Sequence, residues 1–160
     1  GRVAAPLAVW LHSPALAMRA QELGAFCRFG TSLPPRLSEL AILVTAAHWR
    51  SGYEWAAHAP IALKAGLGPE AVEAIRTRAD PALPEEDAQA VRAFCRELLD
   101  RRAVSDATYA RAVAALGEVA VVELVGILGY YGLISMTINA FRVAPPEGAA
   151  EPFPEAARSA

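Results

Sequence analysis

Apolar residues recur along this chain at intervals of three and four. Leu16, Leu23, Phe26 and Cys27 follow that spacing, as one stripe of an amphipathic helix does. The segment opens at Ser13-Pro14, where serine suits an N-cap and proline in the first turn loses no hydrogen bond. It predicts a helix to about Phe29, stopped by Gly30. Leu33-Pro34-Pro35 opens a second helix, carried by Leu37, Leu40, Ile42, Leu43, Val44 and Ala47 to about Arg50. Gly52 marks a break or kink, after which Tyr53 to Ala65 reads as a third helix ending at Gly66. Gly68-Pro69-Glu70 starts a fourth, through about Arg78. Beyond a linker from Ala79 to Pro84, the run Pro84-Glu85-Glu86-Asp87 begins a fifth helix, with acidic residues where the helix dipole favours them. Val91, Phe94, Cys95, Leu98 and Leu99 form its stripe. Ser105 caps a sixth, and Gly117 separates that from a long apolar helix near Glu118 to Arg142. Pro6 to Leu11 adds one or two turns at the start.

The pattern predicts an all-α fold of six or seven helices in one domain over residues 1–144, followed by an extended arm over residues 145–160 that carries four prolines. Composition strengthens this reading. The chain is 54% hydrophobic, rich in alanine and 8% aromatic, and alanine enters a helix without losing side-chain entropy. At 160 residues it is long enough to bury a sizeable core.

Charge narrows the choice of partners. The net charge is −2 and no cluster of lysine and arginine occurs, which argues against nucleic acid or an acidic membrane as partner. The stretch from Val119 to Phe141 is about long enough to span a bilayer. It also contains Glu123, Asn139 and three glycines and has no basic flank on its N-terminal side, so it reads as a buried core helix. Cys27 and Cys95 sit among apolar neighbours and read as buried thiols. The first residues show no charged region followed by an apolar stretch, and the expected setting is cytoplasmic.

The stretch from Glu39 to His58 is where chemistry is concentrated. Ser51, Glu54 and His58 fall at i, i+3 and i+7 and share one face if the helix includes Ser51. Glu54 and His58 alone are an i,i+4 pair, and a carboxylate beside an imidazole raises its pKa and fixes its tautomer. Such a pair shuttles protons near neutral pH, although the same spacing is common on solvated helix faces. Trp49, Tyr53 and Trp55 surround it and suggest the wall of a pocket. Arg50 is either a holder for a substrate carboxylate or a plain exposed arginine. Glu123 and Asn139, polar groups in an apolar helix, either pair structurally or face the pocket, and Tyr130 and Tyr131 are further candidates to line it. His12 and His48 are isolated and assigned to structure.

Several spaced phrases resemble one family. Leu33-Pro34-Pro35-Arg36-Leu37-Ser38-Glu39-Leu40-Ala41-Ile42-Leu43, then Tyr53-Glu54-Trp55-Ala56-Ala57-His58, then Ala65-Gly66-Leu67 are similar to the core of the carboxymuconolactone decarboxylase/alkylhydroperoxidase D superfamily. The final helix, from Val122-Glu123-Leu124-Val125-Gly126 to Asn139-Ala140-Phe141, also resembles its members. The peroxidase branch uses the frame E-x11-C-x2-C-x3-H; here Glu39 and His58 keep the outer positions, and Ser51 and Glu54 replace both cysteines. Neither replacement can run a thiol–disulfide cycle, so the resemblance implies the fold without the peroxidase activity. The decarboxylase branch carries a glutamate four residues before the histidine, as Glu54 and His58 do.

That branch implies a carboxy-lyase or isomerase that needs no organic cofactor and no metal. It implies a small carboxylated lactone or related ring compound as substrate, and a homotrimer or homohexamer with sites near subunit interfaces. The expected catalytic residues are His58 as acid/base, Glu54 as its orienting partner, and Glu39 in support. Ser51, Trp49, Tyr53, Trp55, Tyr131 and Asn139 are the candidate substrate-binding residues. A non-catalytic ligand-binding oligomer is the alternative from another class. Glu39 poses a geometric problem: twelve residues of continuous helix would hold it about 18 Å from Ser51. It reaches the site either through the break near Gly52 or from another subunit.

Overall fold

A computed structural model describes residues 5–153. Among them are eight helices and no strand: α1 (Ala5–Trp10), α2 (Pro14–Phe29), α3 (Pro35–Trp49), α4 (Gly52–Lys64), α5 (Pro69–Arg76), α6 (Glu86–Arg101), α7 (Asp106–Leu116) and α8 (Glu118–Phe141). The expected six or seven becomes eight because Pro6 and its neighbours form a helix of their own. Trp10 anchors α1, its indole N–H donating to Thr137 Oγ1 at 2.9 Å inside the core.

The organising element is α3. Every residue from Leu37 to Ala47 is buried, so the helix is hydrophobic all round and the others wrap it. α4, α5, α6 and α8 pack against it. α8 is the one described helix long and apolar enough to cross a membrane by length and composition. More than half of its most apolar stretch is buried, against α1, α2, α3 and α7.

Local signals account for most boundaries. Ser105 caps α7 by accepting from the Thr108 N–H. Ser13 occupies the corresponding place before α2 and makes no side-chain cap. Its own N–H is drawn back to the Trp10 carbonyl at 2.8 Å, which closes the turn after α1. Between α3 and α4 the chain turns within two residues. Arg50 takes a left-handed conformation with φ 50°, and the Ser51 N–H donates to the Ala46 carbonyl at 2.9 Å.

The segment after α8 lies against the body. Phe153 is buried and meets the Trp55 ring edge-on, with centroids 5.6 Å apart. Arg76 donates to the Pro152 carbonyl at 2.7 Å. A Cβ at Gly52 would come within 2.8 Å of the Glu151 carboxylate, so the tail passes over the α3–α4 turn at a point where a side chain would obstruct it. Residues 154–160 of the expected arm, and residues 1–4, lie outside the described part.

Candidate functional site

The turn at Ser51–Gly52 lays α4 along α3 and brings Glu39 to His58 within one chain. The His58 Nδ1–H donates to Glu39 Oε2 at 2.8 Å. Its other ring nitrogen, Nε2, lies 3.5 Å from Glu54 Oε2. The imidazole is therefore held between two carboxylates, with all three residues at most 6% exposed. The contact with Glu39 is direct and is the shorter of the two. It fixes a proton on Nδ1 and turns Nε2 toward Glu54. Glu54, expected as the orienting partner, thus stands at the longer distance, and Glu39, expected in support, makes the shorter contact. The two carboxylates approach opposite ring nitrogens and do not converge on a point. Among the described residues no group of three His, Cys, Asp or Glu side chains is placed to hold a metal ion.

Burial raises the Glu54 carboxyl above its ordinary value, against the opposing pull of His58 and Arg28. The Tyr131 ring stands edge-on to the imidazole at 5.1 Å, and Tyr130 stands edge-on to Tyr131 at 5.3 Å. Burial first, and Glu54 second, push the Tyr130 phenol up to about 12. The same two causes push Tyr131 upward as well. Both phenols therefore remain protonated donors at neutral pH.

These groups border a half-open cavity of about 340 Å³, near the lower end of the usual range for small-molecule sites. α4 contributes Tyr53, Glu54, Ala57 and His58; α8 contributes Tyr130, Tyr131 and Ile134; α2 contributes Gln21, Gly24, Ala25 and Arg28. A Cβ at Gly24 would sit 2.1 Å from the Tyr130 hydroxyl. Glycine is what allows α2 to close over that ring.

The remaining expected residues lie outside the lining. Trp55 faces away, covered by Phe153. Trp49 packs edge-on against His48 at 5.8 Å, and its carbonyl accepts from Asn139 Nδ2 at 2.8 Å. Asn139 thus ties the end of α8 to the end of α3. Ser51 is fully buried at the turn, its hydroxyl without a partner among the described residues. Arg50 stacks over Phe153 at 5.7 Å. Glu123 accepts from the Ser32 N–H and hydroxyl at 2.7 and 2.6 Å. Of the expected binding residues, Tyr53 and Tyr131 line the cavity. Sequence reasoning missed Arg28 and Gly24. Their signal was the face Gln21, Gly24, Ala25, Arg28 at i, i+3, i+4 and i+7, which is too polar to be core and interrupted by a glycine.

The described residues thus form an all-α fold with a buried imidazole between two carboxylates beside a small cavity. The chain belongs to the carboxymuconolactone decarboxylase family, whose model matches residues 14–97. That match covers more than half of the chain and includes Glu39, Glu54 and His58. A search of curated proteins found no match.

Proposed function

We propose that the protein is a carboxy-lyase or isomerase that works without a cofactor on a small carboxylated lactone or related ring compound. The observation that supports this most is the placement of His58: Nδ1 is anchored on Glu39, and Nε2 faces Glu54 beside the cavity. In a decarboxylation the bond from ring carbon to carboxylate breaks and carbon dioxide leaves. The electron pair passes into the conjugated lactone carbonyl as a dienolate, and a proton returns to carbon. His58, with Glu54 to exchange its proton, is the acid/base of that return. Tyr131 is a donor to the developing enolate oxygen.

The thiol peroxidase reading has less support. Ser51 and Glu54 stand where it needs cysteines, and both cysteines present are free and buried, Cys95 with a thiol driven upward by burial. A homotrimer or homohexamer fits the apolar side chains left exposed, among them Phe29, Val119 and Val122. A cytoplasmic setting is compatible with the free thiols.

Incubation with 4-carboxymuconolactone tests the reading. Carbon dioxide release by the wild type and its loss in a folded His58→Ala variant are expected. Absence of turnover of any lactone or keto acid in a broad panel would overturn it.

A further inference from the structure

The acid–base reading leaves unassigned the group that selects the substrate. Among the described residues lining the cavity, Arg28 is the one lysine or arginine. It stands in the last turn of α2, on the face that turns Gln21, Gly24 and Ala25 to the same space. Among the described residues, seven other arginines are taken up by carboxylates, including Arg36 by Asp87, Arg78 by Asp100, Arg92 by Asp80 and Arg111 by Glu86, while Arg19, Arg50, Arg102 and Arg142 make no such pair and lie outside the cavity lining. Arg28 has no such partner among the described residues. Its guanidinium rests over the Phe29 ring, 5.1 Å from the centroid, an arrangement that holds the plane while leaving its N–H edge to solvent.

The relation of Arg28 to Glu54 adds a second constraint. Its charge is felt at the Glu54 carboxyl, yet no ion pair within 4.0 Å joins them. An exposed cation and a buried acid therefore border one cavity without pairing. Tyr130, Tyr131, Ile134 and Leu7 line the same cavity, aromatic and aliphatic surface suited to a ring.

We propose that Arg28 is the specificity-determining residue of this cavity, selecting flat ring compounds that carry a carboxylate on the side away from the reacting carbon. A guanidinium binds a carboxylate through two parallel N–H···O bonds and so sets orientation as well as affinity. With the carboxylate on Arg28, the far edge of the ring is directed toward His58 Nε2 and the Tyr131 phenol. An uncharged isostere lacks that anchor. The inference rests on the cavity being the substrate site, and it is separable from the chemistry assigned to His58.

Fluorine NMR titration of the full chain with 4-fluorobenzoate and with 4-fluorobenzamide tests it. The wild type is expected to bind the carboxylate at least about tenfold more tightly than the amide, as a charge-assisted pair warrants. Arg28→Gln should bring the ratio to about one, and Arg28→Lys should retain part of it, with thermal melts confirming that each variant is folded. Equal binding of both probes by the wild type, an unchanged ratio in Arg28→Gln, or no binding of either at millimolar concentration overturns the proposal. Loss of the ratio in Arg28→Gln without lactone turnover by the wild type upholds Arg28 and removes the acid–base reading. Turnover with an unchanged ratio does the reverse.

Discussion

Replacing Glu39 tests whether the imidazole is held from the α3 side. The bond from His58 Nδ1 to Glu39 Oε2 is 2.8 Å long, and both side chains are at most 8% exposed. Glu39→Ala leaves a buried N–H donor without an acceptor, a loss of about 1–3 kcal/mol. Removing a buried carboxylate also lifts its desolvation cost, which draws the net toward the lower half of that range. In a domain of this size each kcal/mol moves Tm by about 2–4 °C, so Glu39→Ala should melt about 2–8 °C below the wild type. Glu39→Gln keeps the volume and a carbonyl acceptor and should lose less than half as much. Differential scanning calorimetry at neutral pH reads the stability. Long-range nitrogen–proton correlation of the imidazole reads the tautomer: a proton on Nδ1 in the wild type, and a shift toward Nε2–H in Glu39→Ala. If Glu39→Ala melts with the wild type and its imidazole nitrogen shifts are unchanged, the bond from His58 to Glu39 does not exist in solution.

Glu54 makes a prediction of the opposite sign. Its folded-state pKa is raised above the ordinary 4.5 by burial, so the folded chain holds the proton more tightly than the unfolded one. Its contribution to stability is fully present below about pH 4.5 and declines as pH rises through the folded value. Glu54→Gln, locked in the neutral form, should therefore gain in Tm over the wild type as pH is raised from 4 to 8, and a constant difference across that range would refute the assignment. Gly24→Ala places a methyl 2.1 Å from the Tyr130 hydroxyl. It should displace that ring and weaken 4-fluorobenzoate binding at least about tenfold while far-UV circular dichroism stays helical. Unchanged affinity would mean that Tyr130 does not shape the cavity.

Much of the local architecture was legible in the chain. The three- and four-residue spacing placed the helices, Ser105 and the prolines marked starts, and Gly117 marked the boundary before α8. Glu54 and His58 came together because i,i+4 neighbours on a helix do so whatever the rest of the fold does. The packing of Trp55 was not legible because aromatic character does not say which way a helix is turned; its ring meets Phe153 of the returning tail and not the cavity. Asn139 likewise bonds a carbonyl 90 residues away, a partner that no local pattern points to.

The sequence by itself determined an all-α fold, the helix boundaries to within a few residues, and a carboxylate–imidazole pair on one helix face. These follow from interactions spanning no more than a turn or two of chain. Tertiary structure decided which carboxylate anchors His58, since Glu39 reaches Nδ1 only because the chain reverses at Arg50 and Ser51. It also decided which arginine meets the cavity, through the approach of α2 to Tyr130 that Gly24 permits. The sequence pattern records which faces of a helix are apolar or polar. Where two such faces meet is set by chain reversal and close packing, and that is where this site was assembled.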